Sequence, residues 1–554
     1  MKSIVFRVNA GQAAGVGHLV RCCCLATELQ ALGHKCFFLF ANFDASVLPF
    51  LDGIEYRYLF NDDHRQSNSD LNPLTSPLTP TKSFEPNWKL DAHLTQKFID
   101  ANQVDWVVLD DYILGKEWEA IICGGGTKLM VIDDLCREHE CDTLLDIRWR
   151  GKSTLNAYDD LLPELTTKLL GPQYALLASQ YQQQVTLDKV PVDNDIFTVL
   201  VGVGGGGDSQ VSSDIIMALL QLTTSINIVI RPILGPLTEN KQQLLETFQD
   251  NEHVQPITDC FDLYPYLTQC DLYIGAAGGV LYQLLALNKP ALTFSLAENQ
   301  QNVLSDLEGI GHFFHCNSDF DIKQLASLVL TISNKYQRVK ALTSKAVNID
   351  GFGASRVANV ILGSEAQPLA SFIQPVHMID EAYEQLSDIY RIRGVVDGDI
   401  NHYLDSRNLP ANKQNMIEPK PIVRLGHYAW WFNTQRDSYL LEKDNQASLY
   451  IWHQVQSYQL RDFLIGGWFV CQAETSFQDA LLALNWQLEH CDKRWPSIPW
   501  IAVIHRKNRY VKLMNDYLGF KEVEPESDYF NVVSSIFADA SVDEFYYVMR
   551  EPLG

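Results

Sequence analysis

The feature that most constrains this chain is an alternation that runs twice. Short, almost wholly apolar runs are separated by stretches with helical spacing. The first series holds "SIVFRV", a helical pattern from about His18 to Leu32, then "KCFFLF", "VDWVVLDDY", "KLMVIDDL" and "CDTLLDI". A strand that is apolar on both faces has to be covered on both, which predicts a parallel sheet with helices on either side. Near Lys189 the pattern restarts with "IFTVLVGVGGGGDSQ", followed by "INIVIRPIL", "DLYIGAAGGVLYQLLALN" and "PALTFSL". Two successive series predict an α/β fold with two Rossmann-like domains, 1–185 and 186–362, facing one cleft. Ligands of such sheets lie outside the carboxyl ends of the strands. The segment from Asn61 to Asn87, rich in Ser, Pro, Asn and Thr, reads as an irregular surface insertion.

From Gly363 to about 380 the composition is that of a linker. Beyond it the texture changes. Aromatic runs "HYAWWF", "SLYIWHQV" and "LIGGWFV" suggest an antiparallel sheet, and a helix "SFQDALLALNWQLEHC" and a strand "IPWIAVIH" follow. Residues 381–554 therefore read as a separate α+β domain.

Bulk properties exclude several classes. A net charge of −25 over 554 residues leaves no basic surface for nucleic acid. No run of about 18 apolar residues is present, so no membrane span is expected. The start "MKSIVFRVNAG" reads as a first strand rather than a signal peptide. The 12 scattered cysteines fit reduced thiols in a cytoplasmic protein.

Three glycine turns follow strands: "GQAAGVGH", Gly204 to Asp208, and "GAAGG" from Gly275 to Gly279. Such turns aim backbone N–H groups and a helix N-terminus at phosphate, so three of them point to a diphosphate ligand. Neither "GxxxxGK[ST]" nor a "GxGxxG" with a following ribose acid is present, which disfavours an NTPase or a simple dehydrogenase. His18 ends the first turn. A helix start favours the neutral imidazole, which can take a proton from water; a nearby diphosphate works the other way. A histidine that only caps the helix or binds phosphate is the alternative. Cys136, His139 and Cys141 have weak metal-ligand spacing. Asp110, Asp111, Asp133 and Asp134 suit strand-end caps or sugar hydroxyls better than Mg²⁺. Cys22, Cys23 and Cys24 read as small packing residues.

The stretch "FRVNAGQAAGVGHLVRCCCLATEL" resembles the opening of the UDP-2,4-diacetamido-2,4,6-trideoxy-β-L-altropyranose hydrolases of pseudaminic acid biosynthesis. "LDDY", "VIDDLCREHECDTLLDIRW", "LLGPQYALL" and "GAAGGVLYQLLALNKPALTFSLAENQQNV" resemble further blocks of that family, in order, over roughly residues 1–360. The resemblance implies a glycosyltransferase-B-like fold, UDP held mainly by the second domain, and hydrolysis that frees the sugar from UDP. His18 would activate water for inverting attack at the anomeric carbon. The implied substrate contacts are Gly15, Gly17, Arg21, Asp111, Tyr112, Gly204, Gly205, Gly206, Ala277, Gly278, Gly279, Gln283, Asn299 and Gln300, with no metal and no cofactor. The chain departs from the family at Gln283, where a Glu holds the ribose, at Ala178, where Arg is usual, and at Arg148, near the usual Asn.

"WIAVIHRKNRYVKLMNDYLGFKEVE" (Trp500 to Glu524) resembles the end of a GNAT acyltransferase, with Asn508, Gly519 and Phe520 in place. "HYAWWF" is similar to a stretch of sugar N-acetyltransferases of that type. The resemblance implies acetyl-CoA as co-substrate, its pyrophosphate at the turn "CQAETSFQDALLAL" near Gln472 and Ser476, with Asn508 also in the site. The usual glycines of that turn are missing, and Asn515 replaces the usual Tyr. Together the two resemblances imply N-acylation of a 4-amino UDP-sugar followed by hydrolysis of the product. A glycosyltransferase of the same fold, or a UDP-sugar-binding scaffold with a degenerate GNAT-like domain, are the alternatives.

Overall fold

The computed structural model describes all residues except 12–14, 61–86, 183–195, 205–208, 296–303, 317–320, 343–346, 368–370, 374–382, 473–474 and 553–554. Residues 61–86 of the Asn61–Asn87 insertion, and 368–370 and 374–380 of the 363–380 segment, thus lie outside the described residues. The chain forms two compact units, Met1–Val376 and His377–Gly554.

The first unit holds two parallel sheets. Strands β1 (Ser3–Val8), β2 (Lys35–Phe40), β3 (Glu55–Tyr58), β4 (Trp106–Asp110), β5 (Lys128–Ile132), β6 (Thr143–Asp146) and β7 (Thr167–Leu170) lie in the order 3-2-1-4-5-6-7. Every residue of β4 is buried because helices cover both faces. Helix α1 (Gly17–Ala31) packs Leu19, Cys22, Leu25, Ala26 and Leu29 on one face. Helices α2 (Trp88–Asn102) and α3 (Lys116–Gly124) cover the other with Ala92, Ile99, Trp118 and Ile122. The spacing of the α1 residues is one helical stripe, and Cys22 is part of it. Arg7 is buried on β1, where its Nε and Nη2 donate to Asp91 at 3.1 and 2.6 Å. Trp118 Nε1 donates to the same carboxylate at 2.9 Å, so one buried ion pair ties strand to both helices.

The second sheet contains β8 (Phe197–Gly202), β9 (Ile228–Leu234), β10 (Ile257–Thr258), β11 (Leu272–Ala276), β12 (Ala291–Phe294) and β13 (Phe314–Cys316), in the order 10-9-8-11-12-13, all parallel. Its helices are α4 (Ser209–Leu220), α5 (Lys241–Phe248), α6 (Tyr264–Gln269), α7 (Val280–Ala286), α8 (Leu304–Gly309), α9 (Ile322–Asn334) and α10 (Tyr336–Lys340). Both strand orders reverse direction beside the first strand of the sheet, β1/β4 in one and β8/β11 in the other. These are the positions where parallel sheets open a crevice.

Helix α11 (Gly353–Ile361) leaves the second sheet and packs on α1 of the first through Ala354, Val357, Ala358 and Ile361. Gly353 permits this docking: a Cβ there would stand 2.1 Å from the Ala175 carbonyl oxygen. A second shared cluster joins Ala175, Leu177 and Tyr181 to Leu281, Leu285, Leu307 and Ile310.

The second unit is built on one eight-stranded mixed sheet. Strands β14 (Tyr383–Gln385), β15 (Tyr390–Gly394), β16 (Asp437–Lys443), β17 (Gln446–Tyr458), β18 (Arg461–Val470), β19 (Trp500–His505), β20 (Lys521–Glu522) and β21 (Phe545–Arg550) lie in the order 14-15-16-17-18-19-21-20. The helices are α12 (Ile400–Arg407), α13 (Pro410–Lys413), α14 (Arg424–Asn433), α15 (Phe477–Arg494), α16 (Arg509–Tyr517) and α17 (Asp528–Ile536). The runs "SLYIWHQV" and "LIGGWFV" form the antiparallel pair β17 and β18. "HYAWWF" does not join the sheet; it lies in α14. Leu425, Tyr428, Trp431 and Phe432 are buried there at helical spacing, so the period of burial outweighs the strand preference of the aromatics. Strands β18 and β19 share a single pair, Leu464 with Trp500, and then part.

Candidate functional site

His18 stands in the first turn of α1, at the β1/β4 opening. Its Nδ1 lies 2.5 Å from Asp110 Oδ1, at the last residue of β4. Arg21, one turn along α1, grips the same carboxylate: Nε donates to Oδ2 and Nη2 to Oδ1, both at 2.6 Å. Asp110 is fully buried and His18 and Arg21 are largely so. Burial pushes the Asp110 carboxyl up, but Arg21 and His18 outweigh it and hold it well below the usual carboxylate range. A carboxylate so held is only an acceptor, so the hydrogen between it and the imidazole belongs to Nδ1. Arg21 Nη2, 3.2 Å from Nδ1, is therefore a neighbour rather than a donor to it. In the neutral ring Nε2 then carries the lone pair.

Tyr112 and Asp134 complete the cluster. The Tyr112 ring meets His18 edge-on, centroids 4.6 Å apart, and its hydroxyl donates to Asp134 at 2.9 Å. Asp134 Oδ2 is 3.6 Å from Arg21 Nη1. On its other side the charge of Asp134 acts on Tyr282 of α7, in the second sheet's half. Arg148 and Arg150, after β6, act on Tyr282 and on Asp306 of α8.

Other expected contacts are corrected by their surroundings. Asp111 is committed to its own loop. Oδ1 accepts from the amides of Ile113 and Leu114 at 2.7 and 3.0 Å, and Oδ2 from Asn9 Nδ2 at 2.7 Å. These bonds shape the strand end. The Gly15 N–H donates to the Gly11 carbonyl at 2.7 Å, closing the turn on itself, with Gly15 at φ +72. Gly17 is exposed at the start of α1. Gly275 belongs to β11 and not to a turn: a Cβ there would overlap the Gly202 carbonyl oxygen. The Ala277 N–H donates to the Phe294 carbonyl at 3.1 Å, which removes it as an anion donor. Gly278 and Gly279 remain at the β11–α7 turn, and Gly204, at φ +99, at the end of β8. Gln283 lies on α7 with its Oε1 buried and unpartnered among the described residues. Gly205, Gly206, Asn299 and Gln300 lie outside the described residues.

Sequence reading offered Asp110 and Asp134 as strand-end caps or sugar ligands and did not foresee that Asp110 holds His18 and Arg21, or that Asp134 accepts from Tyr112. The signal was present: an acid closing a wholly apolar strand next to β1, whose following helix begins with His18. In the Cys136, His139, Cys141 group the histidine is engaged by carboxylates. His139 Nδ1 pairs with Glu119 at 2.8 Å, its Nε2 faces Asp133 at 3.4 Å, and Cys141 is a buried thiol. Among the described residues no group of three His, Cys, Asp or Glu side chains is placed to hold a metal ion, and no helix is long and apolar enough to cross a membrane.

In the second unit, a cavity of about 1090 Å³ opens where β18 and β19 part. Trp452, Gly466, Gly467, Gln487, Trp500 and Asn508 are among its lining residues. Asn508 caps α16, accepting from the Val511 amide at 3.2 Å. Gly519, at φ +89, ends that helix, and Phe520 is buried. The expected pyrophosphate turn is a correction. Ser476 caps α15, and the Asp479 carboxylate returns to the Ser476 amide at 3.2 Å. Asp479 is buried and also accepts from Tyr390 at 2.6 Å. Burial pushes its carboxyl up, but Tyr390, Ser476 and Lys443 draw it down to about 2. A fixed carboxylate therefore occupies the helix start and repels a second anion. Gln472 is exposed after β18, outside the cavity lining.

No family model matches the chain, and no curated protein matches it. Solved structures with similarity include MurG of Acinetobacter baumannii, at 13% identity and a TM-score of 0.43, over 66% of this chain and 100% of that one. UDP-GlcNAc 2-epimerase of Neisseria meningitidis, bound to UDP-GlcNAc, is 11% identical over 66% of this chain and 100% of that one, with a TM-score of 0.43. TcCGT1 in complex with UDP is 11% identical over 65% and 99%, also with a TM-score of 0.43.

Proposed function

We propose that the first unit hydrolyses a UDP-linked 2,4-diacetamido-2,4,6-trideoxy sugar to free sugar and UDP, as in pseudaminic acid biosynthesis. The observation that carries this reading is the His18–Asp110 pair at the β1/β4 opening. Asp110 fixes the Nδ1–H tautomer and orients the ring, so Nε2 can take a proton from water. The water oxygen bonds to the anomeric carbon, the bond from that carbon to the phosphate oxygen breaks, and its electron pair leaves with UDP. Attack opposite the leaving group inverts the centre. Gly204, Gly278 and Gly279, at the strand ends of the second sheet, are the candidates to bind the diphosphate. Gln283 Oε1 is the candidate partner of a ribose hydroxyl.

The second unit is assigned acyl transfer from acetyl-CoA to the 4-amino group of the precursor UDP-sugar. The amine attacks the thioester carbonyl, the C–S bond breaks, and CoA leaves as the thiol with the proton lost by nitrogen. The parted β18 and β19 and the cavity between them support this reading. The Asp479-filled helix start removes the usual pyrophosphate seat, so the donor has to be held elsewhere in the cavity.

The test is anomeric NMR of the full chain with the 2,4-diacetamido UDP-sugar and no acceptor, beside His18→Ala. Free sugar and UDP from the wild type, and orders of magnitude less from the variant, are expected. Intact substrate with the wild type overturns the hydrolase; consumption only on adding a sugar acceptor moves the unit to glycosyl transfer. Thiol release from acetyl-CoA with the 4-amino sugar nucleotide tests the second unit.

A further inference from the structure

The strongest unassigned feature is a pair of arginines inside the second unit's cavity. Along β17, Leu449 and Ile451 face α15, where they pack on Ala480, Ala483 and Leu484. Alternation puts Tyr450 and Trp452 on the opposite face. Tyr403 of α12 packs there, 4.8 Å from both Tyr450 and Phe469. Arg407 ends α12, and Arg436 precedes β16; both line the cavity with Tyr403, Trp430 and Trp452. The Arg436 guanidinium lies 3.7 Å from the Trp452 ring centre and 5.3 Å from that of Trp430.

Among the described residues, neither guanidinium has a carboxylate partner, and Arg407 Nη1 is buried without any hydrogen-bond partner. The Tyr403 hydroxyl is buried beside the Arg436 guanidinium and Ser438. Burial lowers both arginines from their ordinary range, and Arg436 lowers Arg407 further. Two desolvated like charges facing one cavity are costly unless an anion enters between them. Stacking on tryptophan offsets only part of that cost.

We propose that Arg407, Arg436 and the Tyr403 hydroxyl form a diphosphate-binding subsite of the second unit. Two planar forks and a hydroxyl match the spread oxygens of a diphosphate better than a single carboxylate. The tryptophan faces suit the sugar or base beside it. Both a sugar nucleotide and CoA carry a diphosphate. The subsite takes the diphosphate that both share, and the UDP and acetyl-CoA arms of the test tell the two sources apart. The diphosphate site does not rest on the acyl-transfer reading.

The experiment is hydrogen–deuterium exchange of the full chain with UDP, inorganic pyrophosphate, malonate or acetyl-CoA, in wild type, Arg407→Gln, Arg436→Gln and the double Lys variant. Peptides covering 400–407 and 437–443 separate this subsite from UDP bound in the first unit. UDP and pyrophosphate are expected to slow exchange there, with affinity falling about 10- to 100-fold in each Gln variant and partly kept in the Lys variant. No protection by either phosphate probe, or protection unchanged in both Gln variants, overturns the subsite. Protection by malonate alone overturns the diphosphate; protection by UDP but not acetyl-CoA assigns the subsite to the sugar nucleotide, and the reverse assigns it to CoA. UDP protection without any acyl transfer from acetyl-CoA removes the acyltransferase reading and leaves the subsite standing.

Discussion

His18 and Asp110 are 92 residues apart in sequence, and the first sheet brings His18 Nδ1 to 2.5 Å from Asp110 Oδ1. The contact joins the first turn of α1 to the last residue of β4, across a strand boundary that only parallel pairing of β1 and β4 creates. Replacing Asp110 by Asn keeps the shape and removes the charge that selects the tautomer. Turnover of the UDP-sugar by the Asp110→Asn variant should fall about 10²- to 10⁴-fold, with KM much less changed. Steady-state kinetics beside His18→Ala checks this; an unchanged kcat removes Asp110 from the mechanism.

His139 sets a pH limit on stability. Burial disfavours its charge, but the Asp133 and Glu119 carboxylates outweigh burial and raise it to about 9. The unfolded value is about 6.5. The folded form holds the proton more tightly, so this contribution is full below about 6.5 and is lost as pH rises through 9. Thermal melts between pH 6 and pH 9.5 should show wild type losing its advantage over His139→Gln as pH rises. A gap between the two that does not change with pH would refute the pairing.

The docking of α11 is steric. Gly353→Ala places a Cβ 2.1 Å from the Ala175 carbonyl oxygen, a backbone atom that cannot swing aside. The expected cost is about 1–3 kcal/mol from overpacking, read as a lowered melting temperature. Gly124→Ala is the control, since nothing stands within 4 Å of its Cβ. Equal effects of the two substitutions would show that the close approach is not what selects glycine at 353.

Ser476 tests the corrected helix start. Ser476→Ala removes the cap and should cost about 1 kcal/mol. With Asp479 already filling the helix start, acetyl-CoA affinity should stay within about twofold, a difference of about 0.4 kcal/mol. Calorimetric titration of acetyl-CoA decides it: a large loss of affinity restores Ser476 to the donor site.

The strands and their parallel pairing were legible in the sequence, because a run such as "WVVLD" has no polar face to give to water. Tyr112 and Arg21 were named only through the family resemblance, and the structure places both beside His18. Asp111 was misread because a strand-end acid serves a ligand or its own loop equally well by pattern; only the amides of Ile113 and Leu114 decide it. "HYAWWF" was misread because aromatic content says that a segment is buried and not with which period.

The sequence by itself determined two parallel-sheet halves, a compositionally distinct third region, and glycines after β1, β8 and β11, since these depend on local patterning. Tertiary structure alone decided which of four neighbouring aspartates holds His18, that Gly275 serves close strand packing, and that two arginines share a cavity with no carboxylate paired to either among the described residues. Such facts depend on which distant segments the sheets place side by side, and no periodicity along the chain encodes a distance across it.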